Sequence, residues 1–114
     1  MSESDFLTRR KLQILNQLKN RPNIKIFFEK RIKYFSPSTL QKIVRYINIF
    51  PGDIPYHIMH GILSKIINKT IIADNIPLPL ERIINNPECT EKEKTMSQLI
   101  VLVIYFFFEK KIIA

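Results

Sequence analysis

Ser36-Pro37-Ser38-Thr39-Leu40-Gln41-Lys42-Ile43-Val44-Arg45-Tyr46-Ile47-Asn48-Ile49 is the stretch that decides the fold. Leu40, Ile43, Val44 and Ile47 recur at i, i+3, i+4 and i+7, the period of a helix with one buried face. Gln41, Lys42, Arg45 and Asn48 fall on the other side. Ser36 followed by Pro37 is a start signal: a hydroxyl N-cap, then a proline in the first helical position, where no N–H is needed. The segment is predicted to be helical from Ser36 to about Ile49.

Upstream, Leu7, Leu12, Leu15 and Leu18 lie on one stripe with Ile14 beside it, so a helix is predicted from about Ser4 to Asn20. Ser4 or Asp5 can cap it. Arg21-Pro22-Asn23 stops it, because proline disfavours helical backbone in the residue before it. Ile24, Phe27, Phe28, Ile32 and Phe35 fit a second helix over Ile24–Phe35, although Ile24-Lys25-Ile26 alternates like a strand.

Downstream, Pro51-Gly52 is a turn, and Asp53 is placed as the cap of a fourth helix reaching about Asn68. Ile54, Ile58, Ile62 and Ile66 form its inner face. Asp74–Pro79 reads as a loop, and Leu80–Asn85 as a short helical piece ending before Asn86-Pro87. Thr90 and Glu93 form a capping box for the last helix, whose first turn, Glu91-Lys92-Glu93-Lys94, reads as a solvated face. From Leu99 to Phe108 that helix is apolar on every side, although a buried strand has the same composition. A helix apolar all round must be covered all round. It is therefore expected at the centre of the fold or in a homodimer interface, with Leu99, Ile100, Val103, Phe106 and Phe107 as the self-association residues. Only two glycines occur, at 52 and 61, which favours helices over many short strands. The expectation is an all-α single compact domain over residues 1–114, of about five or six helices.

The charge is unevenly placed. Residues 1–50 hold eleven Lys or Arg and three acids, and eleven minus three is +8, the whole net charge. Residues 51–114 hold seven of each sign. Isoleucine, lysine and asparagine are abundant throughout, a bias that would spread lysine evenly. It would not place five of the six arginines in the first half. A basic half implies a polyanionic partner, with nucleic acid ahead of an anionic membrane surface.

Catalytic equipment is hard to assemble. His57 and His60 are three apart on the fourth helix, yet only Asp53 stands near as a further ligand, so exposed helix positions are the simpler reading. Cys89 sits beside Glu88, and an acidic neighbour raises a thiol pKa. One cysteine forms no internal disulfide, which suits a reducing, intracellular (cytoplasmic or nuclear) setting. Two glycines make no phosphate loop. Met-Ser-Glu-Ser-Asp is unlike a signal peptide, and the ten-residue apolar run Leu99–Phe108 falls short of the about 20 residues a spanning helix needs. No enzyme, cofactor, metal or membrane span is expected. The echo of Phe27-Phe28-Glu29-Lys30-Arg31-Ile32 in Phe107-Phe108-Glu109-Lys110-Lys111-Ile112 is six residues in a biased composition and reads as coincidence.

Leu12–Asn20, Ile24–Phe35 and Ser36–Ile49 together resemble the helix-turn-helix and winged-helix DNA-binding domains, in which a hydroxyl-rich turn opens the recognition helix. The likeness implies DNA binding, with Ser38, Thr39 and Gln41 at the groove. Arg9, Arg10, Lys11, Lys30, Arg31, Lys33, Lys42 and Arg45 would then supply phosphate contacts, and Gln41, Lys42 and Arg45 would reach base edges or phosphates. The turn here lacks glycine, and Pro51-Gly52 leads to another helix rather than a wing. Thr39-Leu40-Gln41 and Val44, with Ile76-Pro77-Leu78-Pro79, also resemble a SOCS box, which implies a protein partner. In that alternative the chain is a helical interaction module using its C-terminal helices.

Overall fold

Ser36 opens its helix as the spacing predicts. In the computed structural model, which describes residues 3–68 and 90–108, the Ser36 hydroxyl accepts the Thr39 N–H at 3.2 Å and Pro37 takes the first helical position. The described chain forms α1 (Glu3–Leu15), a 3-10 turn (Asn16–Leu18), α2 (Pro22–Glu29), a second 3-10 turn (Ile32–Tyr34), α3 (Pro37–Ile47), α4 (Tyr56–Ile67) and α5 (Glu91–Phe108). No strand occurs among the described residues. The fold is all-α, with one shared core.

The buried face of α3 is the one its period indicates: Leu40, Ile43, Val44 and Ile47 are fully enclosed. This face packs mainly on α1, and more lightly on α5. In α1 only the C-terminal end enters the core. Ile14 and Leu15 are buried, as is Leu18 in the following turn, while Leu7 and Leu12 are 37% and 40% exposed. The expected stripe therefore breaks, because the N-terminal part of α1 has little packed against it. The helix already includes Glu3, so Ser4 and Asp5 lie within it rather than at its start.

Pro22 is a start rather than only a stop. Arg21 is the N-cap of α2, kept out of the helical region at φ −135° and ψ 67° before the proline. The helix ends at Glu29 and resumes only as a 3-10 turn, so Ile24–Phe35 is two short pieces rather than one helix. Ile24, Phe27 and Phe28 are buried, and Ile26 is exposed. Seven residues, 30–36, separate α2 from α3, longer than the three- or four-residue turn of a helix-turn-helix.

Asp53 does not cap α4. That helix starts at Tyr56 behind Pro55, with no side-chain cap. The Asp53 carboxylate instead accepts the Asn23 N–H at 2.9 Å and the Ile24 N–H at 3.0 Å, the first free amides of α2. It also accepts the Asn23 side-chain amide at 2.8 Å. Gly52, at φ +84°, makes the turn that brings it there. Ile54 and Ile62 are buried, Ile58 and Ile66 half-buried, and Met59 completes the inner face of α4.

The apolar stretch of α5 lies at the centre. Ile100, Val101, Leu102, Val103 and Ile104 are buried in succession. With about 3.6 residues per turn, five consecutive positions point in every direction around the helix. Packing from α4, α3 and the second 3-10 turn accounts for much of that cover. Phe108 stacks on Phe50 at 5.0 Å. Ile100, Val103 and Phe106 are thus inside the chain's own core rather than on a surface, which leaves Leu99 and Phe107 half-buried. Among the described residues, no helix is long and apolar enough to cross a membrane.

The capping box of α5 is half formed. The Glu93 N–H donates to Thr90 Oγ1 at 3.1 Å. The Glu93 side chain does not return to Thr90. It is buried, not solvated, and accepts the Ser36 N–H at the mouth of α3. The Asp74–Pro79 loop, the Leu80–Asn85 piece with its Asn86-Pro87 stop, the Ile76–Pro79 motif, Glu88, Cys89 and residues 109–112 lie outside the described residues.

Candidate nucleic-acid interface

Ser38, Gln41, Lys42 and Arg45 recur at i, i+3, i+4 and i+7, the same period as the buried face of α3 but displaced from it. They form one wall of a groove of about 600 Å³. Ser36 and Pro37 close its end, Arg10 and Ile14 of α1 form the facing wall, and Glu93 of α5 joins the lining. Ser38, Arg10 and Arg45 are exposed, and Gln41 and Lys42 half-buried. The lining carries three cations and one carboxylate. Among the described residues, no ion pair involves Arg10, Lys42 or Arg45.

Two of the residues expected at the groove bond to other side chains of the protein. Thr39 is 2% exposed, and its Oγ1 accepts the Ser36 hydroxyl at 3.1 Å, so it does not face a ligand. The Gln41 side-chain amide pairs with that of Gln17, at 3.1 and 3.4 Å in the two directions. This pair ties α3 to the turn after α1.

Lys30, Arg31 and Lys33 do not reach this groove. They line a second one of about 500 Å³ with Tyr34, Tyr56, His60, Leu63, Ile67, Met96 and Leu99. The two grooves share no residue. The Arg31 guanidinium lies 3.9 Å over the Phe27 ring and donates to the Phe27 carbonyl at 3.0 Å. Lys30 sits 4.9 Å over the Tyr56 ring, and Lys33 5.3 Å over Tyr34. Burial, together with the positive charges of Arg31 and Lys30, holds the His60 pKa below the usual imidazole range. Burial pushes the Tyr56 phenol up, but hydrogen bonds from Arg31 and Lys30 and their charges outweigh it and bring the phenol below its ordinary value.

Of the other cations expected to bind, Lys11 reaches across to the Ile32 carbonyl at 3.3 Å, and Arg9 is exposed on α1 outside both grooves. The sequence reading missed Ser36 and Glu93 in the first groove, and Tyr34, Tyr56 and Met96 in the second. The local pattern marks Tyr56 and Met96 only as helix positions. Their approach to Lys30 depends on how α4 packs on α2 and how α5 packs on α4 and the second 3-10 turn. Among the described residues, no group of three or more His, Cys, Asp or Glu side chains is placed to hold a metal.

Comparison with protein-family models, with curated proteins and with solved structures finds no match.

Proposed function

We propose that this protein is a non-enzymatic nucleic-acid binder, with DNA favoured, acting as a regulatory or architectural protein through the groove along α3. The observation that carries the reading is the convergence of Arg10, Lys42 and Arg45 on one groove beside the start of α3, with no ion pair to any of them among the described residues. Cations so placed displace condensed counterions from a phosphate backbone, which supplies sequence-independent affinity. Ser38 adds a hydroxyl suited to a phosphate oxygen. The reading rests on this charge and shape rather than on a helix-turn-helix, given the long connection between α2 and α3.

The test is fluorescence anisotropy on a short labelled duplex across a salt series. Binding is expected to weaken steeply with salt. Lys42→Ala combined with Arg45→Ala is expected to reduce the log–log slope by about 1.8, since each phosphate left without its cation lowers it by about 0.9. No binding at low salt would overturn the reading.

A second reading, a helical protein-interaction module, draws on a different observation. Phe6, Leu7 and Leu12 of α1 are large apolar side chains left exposed. Self-association through α5 has less to draw on, since three of the five residues expected to carry it lie in the core.

A further inference from the structure

The second groove differs from the first in kind. No Asp or Glu is among the residues that line it, and Lys30, Arg31 and Lys33 take part in no ion pair among the described residues. Its rim is aromatic. Tyr56 and His60 lie 4.7 Å apart, ring centre to ring centre, and both meet the buried Phe27 edge-on, at 5.8 and 5.7 Å. Phe27 is thus a fixed base under two rings of which His60 is exposed and Tyr56 half-buried. The remaining wall is aliphatic: Leu63 of α4, and Met96 and Leu99 of α5.

Three cations, adjacent rings and an apolar wall are the elements that hold an unpaired nucleic-acid strand. The cations follow the phosphates, and the rings take bases freed from a partner strand. A duplex keeps its bases stacked and has no use for exposed rings outside its grooves. Arg31 is already held in place by the Phe27 carbonyl and ring, so little freedom remains to be lost when an anion arrives. Lys30 and Lys33 rest on ring faces, and a phosphate that forms charge-assisted hydrogen bonds with them would draw them off. The volume, about 500 Å³, is in the range of small-ligand sites.

We infer that this groove binds an unpaired nucleotide of a single strand, with its phosphate on Lys30, Arg31 and Lys33 and its base against Tyr56 and His60. The inference rests on the nucleic-acid reading above and adds the form of ligand and a second site.

The experiment compares, on the full chain, a labelled oligothymidylate with an abasic deoxyribose-phosphate oligomer of the same length and charge. The oligothymidylate is expected to bind about tenfold tighter at the same salt, the gain that one stacked base gives. Tyr56→Leu should erase that preference, and Tyr56→Phe, which keeps the ring, should retain it. Lys30→Ala with Lys33→Ala should flatten the salt slope for both oligomers. Equal affinity for the two oligomers overturns the inference, as does a preference that survives Tyr56→Leu. If the duplex binds through Arg10, Lys42 and Arg45 while the base preference is absent, this inference falls alone. If the preference appears and the duplex does not bind, the duplex reading falls alone.

Discussion

The Asp53 carboxylate caps α2 from thirty residues away, accepting the Asn23 and Ile24 amides at 2.9 and 3.0 Å. Pro22 has no N–H to offer, and the Lys25 N–H already reaches the Arg21 carbonyl. The start of α2 is therefore satisfied by one side chain from the α3–α4 connection. Glu93 does the same for the Ser36 amide at the start of α3, from the second half of the chain. Two short helices of the basic half are thus tied to the rest of the fold by carboxylates.

Asp53→Ala is expected to lower stability by about 1 kcal/mol, the usual loss for a side-chain cap. Partial burial pushes this carboxyl up, but hydrogen bonds from the Asn23 and Ile24 amides, the Asn23 side chain and the Ile54 amide outweigh it and hold its pKa below the usual aspartate range. The ionised form is thus the one that the fold favours. Its contribution is complete above about pH 4 and fades as pH falls through the folded pKa. Urea denaturation of both proteins should show the difference at neutral pH and lose it in strong acid. A difference that is independent of pH would remove the carboxylate from the explanation.

Glu93→Gln keeps an acceptor near the Ser36 amide but removes the charge. Stability is expected to fall by about 1 kcal/mol, because a charged acceptor is replaced by a neutral one. Duplex affinity should rise, since the first groove loses its one carboxylate. Denaturation and anisotropy on the same preparation check both signs. Unchanged affinity would place the groove away from the bound phosphates.

Ile100→Ala removes a side chain that is fully enclosed by its own chain. A loss of about 2–5 kcal/mol is expected, as for other large-to-small changes in a core. Were this helix instead the seam of a dimer, the denaturation midpoint would move with protein concentration. Denaturation at two concentrations, with light scattering alongside, separates the cases.

Gly52→Ala should cost about 1 kcal/mol from backbone strain alone. Its φ is +84°, while a β-carbon built there meets nothing within 4 Å. Gly52→Asn should be milder, because asparagine tolerates left-handed backbone better than alanine. Thermal melts of the two variants test the order, and the same melting temperature for both would show that the turn relaxes.

The helices were largely legible because their signals are local. Ser36-Pro37 and the Leu40–Ile47 period needed only neighbours to be read. The all-round apolarity of Leu99–Phe108 also required deep burial. The errors have a common cause. Leu7 and Leu12 carry the right period, but a period cannot say whether another element arrives to cover them. Asp53 stands where a cap for the next helix belongs, yet Gly52 turns it toward the previous one. Thr39 looks like a groove hydroxyl, and the packing of α3 buries it.

The sequence by itself determined the helical class, the α3 faces and the confinement of excess charge to residues 1–50, because each depends on residue type and short-range spacing. Only the tertiary structure decided where those charges go. It divides them between two grooves, one along α3 and one beside Tyr56 and His60, because helix packing sets which exposed faces meet. It also placed the apolar helix within the chain's own core. Spacing fixes a direction around one helix axis, and it carries no information on the angle at which the next axis crosses.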